Sequence, residues 1–197
     1  MHYLIDLDNT LLKTFYLDRS GHVRFYWARA FQADTGQSEA VLGELFQGDF
    51  LDALRKTRDL EPFIDPWLQK YHLPFSAASF LEYWLSHDTI VCPPVWRWIT
   101  EQKHKGHHLH IASNQPHVRM DYLWEHYPAW HTLFDHVFTS ARLGVAKPDS
   151  AFFERVCTLL GTRGDDVCLI DDEYPNIRAA RAFGLTAILY RTPADLP

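Results

Sequence analysis

The chain has 197 residues, 47% of them hydrophobic. That is enough for one core to bury most of its apolar surface, so one compact unit with room for an inserted subdomain is expected. Nineteen Lys and Arg against twenty-five Asp and Glu give a formal net charge of −6, which argues against a nucleic acid polymer or an anionic membrane as partner. Cys92, Cys157 and Cys168 are odd in number, far apart and without a C-x-x-C pair, which suits a reducing, cytoplasmic setting better than a disulfide framework or a thiolate zinc site. Asp6 interrupts the first apolar run and no run reaches transmembrane length, so neither a leader nor a membrane span is expected.

Residues His2 to Leu7 read as a short buried strand running into the turn-prone Asp6-Leu7-Asp8-Asn9-Thr10. From Phe15 to His87 the apolar residues fit helical periods, with Trp27, Ala30 and Phe31, then Val41, Leu42 and Leu45, and later Phe80, Leu81, Trp84 and Leu85. This stretch predicts a helical insertion without strands. Further strands are expected at His107–Ala112, His136–Thr139, Val167–Ile170 and Thr186–Tyr190, with helices at Pro94–Lys105, Asp149–Leu160 and Tyr174–Phe183 between them. Alternating strands and helices predict an α/β fold, a Rossmann-like parallel sheet core of residues 1–14 and 88–197, with a helical cap of residues 15–87 inserted.

Ligands of open parallel sheets bind beyond the carboxyl ends of the strands. There the sequence places Asp6 and Asp8 after the first strand, Ser113 and Asn114 after the second, Lys147 near the third, and Asp171 and Asp172 after the fourth. Strand alternation would bring the carboxylates of Asp6 and Asp8 to one side, gathering up to four negative charges with Asp171 and Asp172. Such a cluster repels itself unless a hard cation such as Mg²⁺ neutralises it. Lys147 adds a positive charge, and Ser113 a hydroxyl able to donate to an anionic oxygen.

The ordered set Asp6-x-Asp8-x-Thr10, Ser113, Lys147 and Asp171-Asp172 resembles the four motifs of the haloacid dehalogenase superfamily. The insertion resembles that superfamily's type 1 helical cap. The resemblance implies a Mg²⁺-dependent phosphomonoesterase acting on a small phosphorylated metabolite. It implies that Asp6 attacks phosphorus to form an aspartyl-phosphate, and that Asp8 protonates the leaving oxygen and then activates water. It also implies metal ligation by Asp6, the backbone carbonyl of Asp8, Asp172, and Asp171 directly or through water. Ser113, with the neighbouring Asn114, would bind phosphoryl oxygens, and Lys147 would orient and neutralise both Asp6 and the phosphoryl group. An acid at position 8 favours ester hydrolysis over halide displacement, because halide leaves without a proton. A pyrimidine-type 5′-nucleotidase and a sugar-phosphate mutase on the same scaffold remain open, with a phospho-receiver signalling domain as a remote alternative.

Several residues carry a blander reading beside a functional one. Asp171 or Asp172 can also cap the helix starting near Tyr174, and Asn176 resembles a position that supports the metal loop. Alternation sends His108 and His110 to one face and His107 to the other, which weighs against a zinc site. Trp27, Phe31, Trp84, Trp96 and Trp98 are read as core, with a pocket-lining role open to some of them. Lys13, Arg19 and Arg24 are read as solvated surface ahead of substrate contacts.

Overall fold

A computed structural model describes residues 1–56, 59–162 and 164–197. Its elements are β1 (His2–Ile5), β2 (Phe15–Leu17), β3 (Val23–Phe25), α1 (Ala28–Thr35), α2 (Glu39–Leu45), α3 (Gly48–Lys56), α4 (Glu61–Lys70), α5 (Ala77–Asp88) and α6 (Pro93–His104). There follow β4 (His108–Ser113), α7 (His117–His126), α8 (Ala129–Leu133), β5 (His136–Thr139), α9 (Ser140–Leu143), α10 (Ser150–Leu160), β6 (Val167–Asp171), α11 (Tyr174–Phe183) and β7 (Thr186–Leu189).

Strands β5-β4-β1-β6-β7 form one sheet in that order, every pair parallel. Side chains alternate across it. Tyr3 and Ile5 face a core shared with Leu109 and Ile111 of β4, Ile99 of α6 and Leu123 of α7. Leu4 faces the opposite core, with Phe152 and Val156 of α10 and Ile177 of α11. Because helices cover both faces, the strands read as nearly continuous apolar runs. Gly184 stops α11 with φ of 101°, a conformation open to glycine because it lacks a Cβ.

The stretch between β1 and α6 carries a third core, with Trp27, Phe31, Leu42, Phe50, Phe80 and Trp84 inside it and Val118 and Tyr122 of α7 packed against it. The helical periods seen there correspond to α1 to α5. The expectation of no strand needs correcting, because β2 and β3 pair antiparallel, Phe15 with Phe25 and Leu17 with Val23. All three residues of β2 are exposed. A three-residue ribbon without a buried face carries none of the alternation by which strands are recognised. Among the described residues, no helix is long and apolar enough to cross a membrane.

At the amino ends of the strands the histidines form a stack, and none belongs to a metal-compatible group among the described residues. His2 lies over His108 and His110 at 4.7 and 5.2 Å, and His110 over His136 at 5.3 Å. His107 turns to the other face, edge-on to Tyr3. His110 is 1% exposed. Burial, reinforced by His2 and His136, pushes its pKa down from 6.5 to about 3.

Below pH 6.5 the unfolded chain therefore protonates at this residue while the folded chain does not. Its contribution to stability is complete above pH 6.5 and is lost as pH falls toward 3. On acidification from pH 7 to pH 5, the wild-type melting temperature should fall about 4 °C further than that of His110→Gln. Thermal denaturation at the two pH values checks this, and equal falls would contradict it.

Candidate active site

β1 ends at Ile5, and the chain turns immediately. Asn9 takes φ of 52°, a left-handed conformation that Asn tolerates better than most residues. The turn returns Leu11 N to Asp6 O at 3.3 Å and Leu12 N to Leu7 O at 2.7 Å. Asn9 Oδ1 accepts from Thr14 Oγ1 at 3.2 Å and Phe15 N at 3.3 Å, which ties the loop to the start of β2. Asp6 thus lies at the sheet's carboxyl edge and is itself bonded to β6, its N–H donating to Ile170 O at 3.0 Å.

Lys147 is delivered by the segment between α9 and α10. Its backbone is clamped by Asn114, whose Nδ2 donates to Lys147 O at 2.9 Å and whose Oδ1 accepts from Lys147 N at 2.9 Å. The Lys147–Pro148 peptide bond is cis. Lys147 Nζ donates to Asp6 Oδ1 at 2.9 Å, Asp171 Oδ2 at 2.5 Å and Ala112 O at 2.6 Å. All three donors of the ammonium are used. Burial opposes its charge, yet Asp171 and Asp6 more than compensate and hold the pKa above its ordinary value.

Asp171 closes β6 and is fully buried. Asn176 Nδ2 donates to its two carboxylate oxygens at 3.0 and 3.1 Å and to Glu173 Oε2 at 3.1 Å. Glu173 N donates to Asp171 Oδ1 at 2.8 Å. Asp171 thus satisfies the backbone beside α11 while facing Lys147, and Asn176 holds it from α11. One carboxylate oxygen from each of Asp6, Asp171 and Asp172 lies within 4.8 Å of the others. Burial, with neighbouring carboxylates, pushes Asp6 up to about 8 and Asp172 up to about 7, Lys147 pulling the other way on both. Three carboxylates with hard oxygen donors share a single ammonium, which bonds only Asp6 and Asp171 and leaves the group short of positive charge, and that donor set fits a Mg²⁺-sized cation.

Asp8 departs from the simple alternation argument. That argument needs a strand through Asp8, and β1 has already ended. The carboxylate of Asp8 lies outside the trio. Gln115 Nε2 donates to Asp8 Oδ2 at 2.6 Å, and the Arg119 guanidinium lies 3.0 Å from Asp8 Oδ1. Arg119 also lies 3.2 Å from Asp88 Oδ2, while Trp84 Nε1 donates to the same oxygen at 3.2 Å. Asp88 closes α5, so the chain linking Asp8, Arg119 and Asp88 joins the β1 loop to the last inserted helix. Burial drives Asp88 up to about 7, against the pull of Arg119.

Sequence reasoning missed Gln115, Arg119 and Asp88. Arg119 stands four residues before buried Leu123, and Asp88 four residues after buried Trp84. A charge on the apolar face of a helix was the available signal.

A cavity of about 230 Å³ opens over Asp6, Asp8, Ser113, Asn114, Lys147 and Asp172, with Arg119 and Asp88 also on its wall. Ser113 lies in it, its Oγ receiving Gln115 Nε2 at 3.4 Å. Asn114 reaches the wall too, although both polar atoms of its side chain are engaged by Lys147. Trp84 lines the cavity, whereas Trp27 and Phe31 are core. Arg24 pairs with Asp18 and Glu39, and Lys13 and Arg19 are exposed away from the cavity.

Known proteins resemble this chain in fold and, over shorter stretches, in sequence. The solved structure of the HAD family enzyme bt-2542 from Bacteroides thetaiotaomicron, in complex with magnesium and inorganic phosphate, superposes with a TM-score of 0.73 at 19% identity, covering 96% of this chain and 93% of that one. A HAD-like family hydrolase from Porphyromonas gingivalis gives 0.68 at 18% identity, covering 94% and 88%. At these identities the likeness is one of fold.

Among curated proteins, the sesquiterpene phosphatase astK of Aspergillus oryzae is 32% identical over 90 residues, 46% of this chain and 45% of that protein. The drimenol cyclase drtB of Aspergillus calidoustus is 41% identical over 59 residues, 30% of this chain and 11% of that protein. The chain therefore spans less than half the length of either. The profile of haloacid dehalogenase-like hydrolases matches residues 1–184, a span that takes in every strand-end residue from Asp6 to Asp172, and the chain belongs to that family.

Proposed function

We propose that this chain is a Mg²⁺-dependent phosphomonoesterase of small phosphorylated metabolites, working through an aspartyl-phosphate on Asp6. The observation that carries the reading is the placement of Asp6 between the Lys147 ammonium and two further carboxylates, at the floor of the cavity. The phosphatase name of astK supports the reaction class. A buried thiol at each cysteine supports a reducing, cytoplasmic setting, and residues 15–87 serve as the cap in this reading.

In this mechanism Asp6 attacks phosphorus through the carboxylate oxygen not held by Lys147, and the ester bond to the leaving oxygen breaks. Lys147 favours the ionised form of Asp6 and orients it, and offsets part of its repulsion toward an incoming phosphate dianion. Mg²⁺, held by Asp6, Asp172, the backbone carbonyl of Asp8, and Asp171 directly or through water, would supply charge neutralisation of the transferring group. Ser113 donates to a phosphoryl oxygen. Asp8 gives its proton to the leaving oxygen and recovers one from the water that hydrolyses the acyl phosphate. Gln115 and Arg119 fix the plane of the Asp8 carboxylate from its two oxygens.

Two outcomes follow. Phosphate release from p-nitrophenyl phosphate should vanish on chelation and return with Mg²⁺. Asp6→Asn should lower it by about 10³-fold or more, and near-normal turnover in that variant would discard the proposal.

A further outcome concerns Arg119, which acts through Asp8. Nitrophenolate leaves without a proton, whereas an alkoxide does not. Arg119→Lys should therefore lower kcat/KM, which reports phosphoryl transfer and not the later hydrolysis that both esters share, by about 10²-fold for an alkyl phosphate and by only about fivefold for p-nitrophenyl phosphate. Steady-state kinetics on the two esters checks this, and equal losses would assign Arg119 a merely structural role.

A further inference from the structure

The floor of the cavity is polar and its roof is not. From the hairpin come Phe15, Val23 and Phe25, and from α2's end, α3 and α5 come Phe46, Leu51, Leu54 and Trp84. The single polar atom among these side chains, the Trp84 indole nitrogen, is spent on Asp88. A sugar or nucleoside has several hydroxyls or ring nitrogens that lose water on binding and need replacement hydrogen bonds. The described roof residues supply no such groups.

Charge points the same way. The described wall carries the carboxylates of Asp6, Asp8, Asp88, Asp172 and Glu173, against the cations Lys147 and Arg119. Both cations already face carboxylates, Lys147 facing Asp6 and Asp171 and Arg119 facing Asp8 and Asp88. A second phosphate or carboxylate on the substrate would meet net negative surroundings. The apolar surface also continues outward along the face of the hairpin that carries Phe15 and Phe25, where Leu17 is 63% and Val23 48% exposed. Exposed apolar side chains contiguous with a pocket mark a binding surface more often than chance decoration.

We infer that the substrates are monophosphates of apolar alcohols, with the hydrocarbon chain under the cap and along the hairpin and the phosphate on the acidic floor. This rests on the phosphomonoesterase reading and specifies its leaving group. Hydrolysis is balanced simply: water adds across the P–O bond, and the products are the free apolar alcohol and inorganic phosphate.

The test uses the full chain with Mg²⁺ and a series of n-butyl, n-hexyl, n-octyl and n-decyl monophosphates below their micellar concentrations, alongside glucose 6-phosphate, ribose 5-phosphate and a nucleoside 5′-monophosphate. Each methylene transferred from water to an apolar wall is expected to raise kcat/KM by about fourfold until the pocket is filled, with the sugar phosphates and nucleotide below n-hexyl phosphate. Leu54→Gln, and independently Leu51→Gln, should reduce the increment to below about twofold. A flat chain-length profile, or higher kcat/KM on the sugar phosphate or nucleotide, would overturn the inference. Because p-nitrophenyl phosphate reports the chemistry separately, Asp6-dependent turnover of that ester with a flat alkyl series would leave the phosphomonoesterase reading standing. Loss of both would overturn the two together.

Discussion

The site depends on a buried ammonium. Lys147 is almost wholly removed from water, a costly place for a charge, and it is tolerated because Asp6 and Asp171 meet it from two strands and Ala112 O takes its third proton. The arrangement locks four pieces of chain into one geometry. β1 must end so that Asp6 faces β6, Asn114 must grip the Lys147 backbone, and Asn176 must hold Asp171 from α11. Together these contacts leave Asp6 one fixed direction. Burial pushes Asp6 toward its protonated form, a poor nucleophile, and Lys147 pulls it toward the ionised one.

Above that charged floor the inserted segment does a different kind of work. Its own core of Trp, Phe and Leu side chains lets it stand as packed structure. It touches the chemistry through Asp88, at the end of α5, which shares Arg119 with Asp8. In the proposed reading the floor fixes the reaction and the roof what is attached to the phosphate, two tasks drawn from separate stretches of sequence. This separation is general to folds that host many substrates on one catalytic scaffold.

The sheet and the strand-end residues were legible because they follow from rules of local sequence. Short apolar runs read as strands, stop signals such as Gly161 and Gly184 marked helix ends, and polar residues beyond strand ends pointed to the ligand edge. The hairpin was not legible, since Phe15–Leu17 and Val23–Phe25 have no buried face to impose a period of two. Nor was the path of Asp8, because alternation holds only while the strand continues and the left-handed turn at Asn9 breaks it. Arg119 and Asp88 were hidden for another reason. Each is a charge on an apolar helix face, explained by its partner, and the pairing is a property of the assembled fold that no window of sequence contains. Substrate class was equally unreadable, because Phe46, Leu54 and Trp84 look like any other core residues until the cavity shows which of them border it.

The central claim is that Asp6 takes the phosphoryl group covalently. An Asp8→Asn variant should still accept it from p-nitrophenyl phosphate, whose leaving group needs no proton, but should release it slowly for want of a base. Acid quenching of that variant during turnover, followed by peptide mapping, should place a hydroxylamine-labile phosphate on Asp6. Phosphate found on another residue, or a clean unmodified Asp6 peptide while turnover proceeds, would contradict the account.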